Sequence, residues 1–111
     1  MMYLTSLLNI PYQVFASLED VDVYHYHAPN EKEAPYAIWK EENDESFCSD
    51  NRRSERVIAG ILDYYTLDDM DPNLDVLEQA LESFGASWKL TASQFEDETN
   101  LIHYSWDWQV M

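Results

Sequence analysis

A single cysteine, Cys48, in 111 residues excludes an intramolecular disulfide, and no spaced Cys/His set accompanies it to suggest structural zinc. Glycine is nearly as scarce. Gly60 and Gly85 are the only two, and neither belongs to a phosphate-cradling loop. Basic residues number six against 22 acidic ones, a net charge of −16 that argues against direct nucleic-acid binding through phosphates. No stretch approaches the ~20 apolar residues needed to span a bilayer. The opening segment, Met1 to Ile10, is apolar but has no Lys or Arg and no small-residue cleavage site, which makes it a poor signal peptide. It reads as part of the fold or as a docking arm. Nothing resembling a linker divides the chain, so one domain spanning residues 1–111 is expected.

What is present suffices for a core. Hydrophobic residues make up 46%, with four Phe, four Trp and eight Tyr supplying large pieces, so disorder is a poor reading. Pro11 suits the first position of a short helix with Val14, Phe15 and Leu18 on its apolar side and Asn9 as a cap. Residues 21–27 alternate as a strand, with Val21, Val23, His25 and His27 on one side. A second strand covers 36–40, and a polar, charged loop follows over 41–54. The third strand, 57–65, is apolar on both alternations, the signature of a central strand covered on both faces, the second cover being available from another subunit.

The long helix is expected from Pro72 to Phe84. Asp71 is its N-cap, Pro72 its first turn and Gly85 its stop, with Leu74, Leu77, Leu81 and Phe84 as one stripe. Asp75, Glu78, Gln79 and Glu82 stay outside. Residues 88–93 form a fourth strand and 96–100 a turn. The last strand sets Ile102, Tyr104, Trp106, Trp108 and Val110 on one face, making a hairpin with its predecessor. The expected fold is α+β, in the order α-β-β-β-α-β-β. A mostly antiparallel sheet of four to five strands carries its helices on one face.

Sites for chemistry are few. His25 and His27 share a strand face, with His103 as a possible third metal ligand, but no carboxylate-rich helix motif joins them. The Asp69–Asp75 stretch opens like a calcium loop and then fails: Leu74 sits at the turn-glycine position and Ala80 at the closing glutamate position. Acidic neighbours disfavour a Cys48 thiolate. With 22 acids, carboxylate pairs carry no catalytic information, so no enzyme, metal or cofactor is expected. The Tyr104, Trp106 and Trp108 face suits a core or a subunit contact better than base stacking, which normally comes with a basic groove.

Several pieces, in order along nearly the whole chain, carry a resemblance. A short helix precedes a strand with Tyr24 and Tyr26. Ala28-Pro29 and Ala34-Pro35-Tyr36 lead the second strand, and Ser49-Asp50-Asn51 precede the third, which ends Leu62-Asp63-Tyr64-Tyr65-Thr66. Asp71-Pro72-Asn73-Leu74 opens the long helix. Together they resemble the small tail-terminator or head–tail joining proteins of long-tailed phages and prophages of Gram-positive bacteria. The resemblance implies a ring, typically a hexamer, that caps the tail-tube protein and docks it to the head connector, in the bacterial cytoplasm and then the virion, without catalytic residues.

Physical considerations agree with a self-contacting subunit, since a strand apolar on both faces leaves adhesive surface. The expected contacts are Glu41, Glu42, Asp44, Glu45, Phe47, Arg52, Arg53 and Arg56 around the loop, with Tyr104, Trp106 and Trp108 on the last hairpin. The alternative is an acidic DNA mimic that occupies a basic nucleic-acid-binding protein. It requires carboxylates arrayed on one face at phosphate-like spacing.

Overall fold

The computed structural model describes residues 3–44, 48–49, 52–53 and 56–110. Helix α1 (Leu4–Ala16) leads to β1 (Val23–His25) and β2 (Tyr36–Asp44). A small ribbon, β3 (Cys48–Ser49) with β4 (Arg52–Arg53), precedes β5 (Ile58–Thr66), α2 (Asn73–Ser83), β6 (Ser87–Glu96) and β7 (Leu101–Val110). The ribbon apart, the order is the expected α-β-β-β-α-β-β in an α+β domain. One sheet of five strands, β1-β2-β5-β7-β6, is antiparallel at every pairing except β1 with β2.

Strand β5 is central, as its two apolar alternations imply. Its residues alternate without exception between buried (Ile58, Gly60, Leu62, Tyr64, Thr66) and half-buried (Ala59, Ile61, Asp63, Tyr65). Both helices lie on the buried side. There Phe15 of α1 meets Trp39 at 5.5 Å between ring centroids, and Phe84, just past α2, meets Phe15 at 5.6 Å and Trp108 at 6.2 Å. Trp39 closes the circuit to Trp108 at 6.1 Å. Gly60 is required beneath it: a Cβ there would collide with Trp108 Cζ2 and the Lys40 carbonyl, and would lie 2.7 Å from Trp108 Cε2. Leu62, Leu77 and Leu81, all 0% exposed, complete the layer between sheet and helix.

The ends of α2 follow its sequence. The Asp71 carboxylate accepts the Asn73 N–H at 2.8 Å, and the first turn closes with Leu74 N–H bonding to the Asp71 carbonyl at 3.1 Å. At the far end Gly85 takes φ +78°. Ala86 N–H reaches the Leu81 carbonyl and Gly85 N–H the Glu82 carbonyl, each at 3.0 Å, a Schellman stop. Asp71 does more than cap. Its second oxygen accepts the hydroxyls of Tyr64 and Thr66 at 2.6 Å each, which locks the helix start onto the end of β5.

Five expectations need correction. The second strand runs past 40 to Asp44, so the expected 41–54 loop begins as strand and then holds the β3–β4 ribbon. Helix α1 begins at Leu4, not Pro11, so residues 4–10 are its first turns and Asn9 lies inside it, accepting from Gln13 at 3.3 Å. The interior proline deprives the Leu7 carbonyl of its i+4 donor. Leu7, Pro11 and Phe15 are nonetheless all buried at i, i+4 and i+8, and that burial offsets the break. Strand β1 is shorter than 21–27 because Tyr26 turns away at φ +73°, and it runs parallel to β2. Glu78 is half-buried, not outside: its carboxylate accepts the Trp106 indole N–H at 2.9 Å. Trp106 and Trp108 are each 1% exposed within this chain, so the contact they make is with its own helices, not with another subunit.

Burial opposes charge on Asp71, but the hydrogen bonds from Thr66, Tyr64 and the Asn73 N–H outweigh it and hold the carboxyl below its ordinary range. A depressed folded pKa gives stability that is whole above the unfolded value of about 4 and is lost as pH falls through the folded value. Asp71→Asn should therefore cost about 2 kcal/mol at neutral pH, through the lost charged acceptor and cap. The gap to wild type should narrow in denaturant titrations repeated from about pH 4 downwards.

Candidate interaction surface

The half-buried side of β5 faces away from both helices. Register arranges this side, uncovered among the described residues, in rows across four strands. Tyr36, Tyr65, His103 and Gln94 form one row; Ile38, Asp63, Ser105 and Ala92 the next; Lys40, Ile61, Asp107 and Lys89 a third. The first row is an aromatic stack: Tyr36 on Tyr65 at 5.1 Å and Tyr65 on His103 at 4.4 Å, the latter pair within 15° of parallel. Isoleucines at 38 and 61 give the rows below an apolar centre, half-exposed and flanked by Lys40 and Asp107.

Asp63 ties the first two rows together. Its Oδ1 accepts from Ser105 Oγ and from His103 Nε2, the latter at 2.9 Å, while Ser105 Oγ lies 3.3 Å from the same nitrogen. A carboxylate only accepts, so Nε2 carries the proton in this arrangement. Asp, His and Ser together invite comparison with a hydrolytic triad, but the geometry differs. In a triad the carboxylate and the serine meet opposite nitrogens of the imidazole, leaving one free to take the serine proton. Here both converge on one nitrogen that is already donating. The triangle positions side chains for contact and aims no free imidazole nitrogen at Ser105. Burial first, and the negative Asp63 second, push the Tyr65 phenol up to about 12.

A second cluster lies on the helix side, at the outer edge of β2. His25 lies flat on Trp39 at 3.9 Å and 12°, and Tyr12 meets both rings edge-on. His25 Nε2 is 2.8 Å from Glu41. Burial works against charge on Glu41, yet the contacts from His25, its own N–H and Tyr26 prevail and lower its pKa. The Glu41 bond in turn raises the Tyr26 phenol. A cleft of about 270 Å³ opens beside it, lined by Thr5, Leu8, Asn9, Tyr12, His25 and Trp39.

The expected contact residues are thus dispersed. Glu41 is committed to His25, and exposed Glu42 lies 3.5 Å from Lys40. Arg56 is half-buried before β5, and Tyr104 is half-buried beside Trp106 at 6.3 Å. Asp44 ends β2, and Arg52 with Arg53 forms β4, their side chains lying outside the description, as Glu45 and Phe47 do altogether. His25 and His103 occupy opposite faces of the sheet, and among the described residues no group of His, Cys, Asp and Glu is arranged to hold a metal ion. Asp63, His103 and Ser105 share no signature in the sequence. The period-two pattern of the last strand sets His103 and Ser105 on one face, but Asp63 joins them only through the β5–β7 register.

No protein-family model and no curated protein sequence matches the chain. Among the described residues no helix is long and apolar enough to cross a membrane.

Asp63→Asn should lower the Tyr65 pKa from about 12 without restoring the ordinary phenol value, because burial is the larger cause. Tyrosine-selective NMR titration reads it directly. An unchanged Tyr65 would mean that Asp63 does not govern the face.

Proposed function

We propose that the chain is a structural subunit of a protein assembly, in the role its sequence resembles: closing a phage tail tube and joining it to the head connector as a ring. The uncovered sheet face carries this reading. Two isoleucines and a three-ring stack lie half-exposed on a face that the chain's own helices do not reach. A subunit that completes its second layer by docking against a neighbour or the tube accounts for that arrangement.

Charge placement agrees with such a role. The strand ends bring Asp22, Asp68, Asp69, Glu96, Asp97 and Glu98, all exposed, to the same end of the sheet. A lumen lined by that end would repel passing DNA and let it slide. The DNA-mimic reading makes a different demand: one carboxylate-studded face and a basic partner lost at high salt.

Light scattering on the purified chain, alone and with isolated tails of long-tailed phages, tests the proposal. The expected result is a ring, or a 13.1 kDa monomer that binds tail-tube ends and blocks further tube growth. A persistent monomer that ignores tails and instead captures a basic DNA-binding protein at low salt would replace it.

A further inference from the structure

Strand β6 closes the sheet on one side, so the outer edge of its ten residues, Ser87–Glu96, carries no neighbouring strand among the described residues. Edge strands are usually shortened, interrupted by proline or guarded by charges. This one is long and has no proline. Its one basic residue, Lys89, pairs across to Asp107 on the uncovered face. A bulge between Leu90 and Ala92 is the only irregularity in its pairing. On the helix side the strand presents Trp88, Leu90, Ser93 and Phe95. Leu90 is 44% and Phe95 59% exposed, an apolar shelf on this side of the edge.

The helix wall above that shelf is acidic. Asp75, Glu78, Gln79 and Glu82 face Trp88 across a slot of about 190 Å³, and α2 contains no Lys or Arg. Glu78 is braced there by the Trp106 indole, which occupies one of its oxygens and leaves the other available. A cation entering the slot meets three carboxylates and an indole ring together, the pairing of charge and π-face that favours Lys and Arg.

We propose that the β6 edge is a docking strand for an extended, basic segment of a partner protein. Backbone hydrogen bonds along β6 supply the affinity. A Lys or Arg side chain between Trp88 and the α2 carboxylates supplies selectivity, with apolar neighbours resting on Leu90 and Phe95. A second copy of this chain is the wrong occupant: at −16 it would add acids to an acidic slot. The site lies at the sheet edge, apart from the uncovered face, and stands whether or not the chain forms a ring.

The test uses the full chain, isotope-labelled, titrated with a synthetic peptide of about eight residues, the length of an ordinary strand, that carries Lys and then Val at every second position on one face, with Thr between them. A peptide with Glu in place of Lys is the control. The Lys peptide should shift and protect from exchange the backbone amides of Ser87–Glu96, and the Glu peptide should not bind. Gln79→Lys combined with Glu82→Lys should weaken binding about tenfold with unchanged thermal unfolding, since both positions are exposed and lie late in α2, where cations suit the helix. Leu90→Glu should weaken it as well, through the shelf. Binding of both peptides alike, full affinity in the charge-reversed chain, or binding without protection of the β6 amides would each overturn the proposal.

Discussion

Trp108 resting on Gly60 is the contact on which the rest of the structure depends. The indole can reach the sheet only because position 60 has no Cβ, and from there it touches Trp39 on β2 and Phe84 after α2. Phe15 completes the circuit from α1. Four rings thus join both helices to the second and fourth strands of the sheet, over the middle one. Buried aromatics contribute through area and through edge-on geometry, and a closed circuit makes each ring's position a condition for the others. With the bulk of the aromatic core gathered on one face, and the Asp71 lock fixing where α2 starts, neither helix is left for the opposite face.

That asymmetry connects fold to function. A five-stranded sheet with one face carrying both helices and one half-exposed face has a second layer still to gain. The exposed face is not a random surface. Asp63, Ser105 and His103 hold one another in a fixed triangle, and His103 aligns with Tyr65 and Tyr36, so the rings are ordered before any partner arrives. Ordering in advance lowers the entropy lost on docking. Elsewhere the acids do two further things: they gather at one end of the sheet, and they line the slot beside β6.

Local signals were legible in the sequence where one residue type sufficed to set the geometry. Asp71, Pro72 and Gly85 bracketed α2 to within a residue at each end, and the two-residue period of 102–110 identified the inward face of β7. The apolar alternations of β5 announced a central strand. Long-range or competing terms were not legible. Pro11 reads locally as a helix start, and only the burial of Leu7, Pro11 and Phe15 together reveals a helix running through it. The parallel pairing of β1 depends on a left-handed turn at Tyr26, a residue with no glycine-like signature. Trp106 and Trp108 are consistent, in sequence, with either a core or an interface; the helices above them decide for the core. The Asp63–His103 contact spans 40 positions and needs the strand register.

The central claim is that the uncovered face is an assembly surface and not a structural necessity of the subunit. Sedimentation of the Ile38→Lys, Ile61→Lys double variant, beside wild type, tests it most directly. Both side chains point away from the core, so the variant should keep its cooperative unfolding, within about 1 kcal/mol. It should also lose the ring or the binding to tails. Assembly that survives two added charges at the centre of the face would contradict the account, as would a variant that no longer folds.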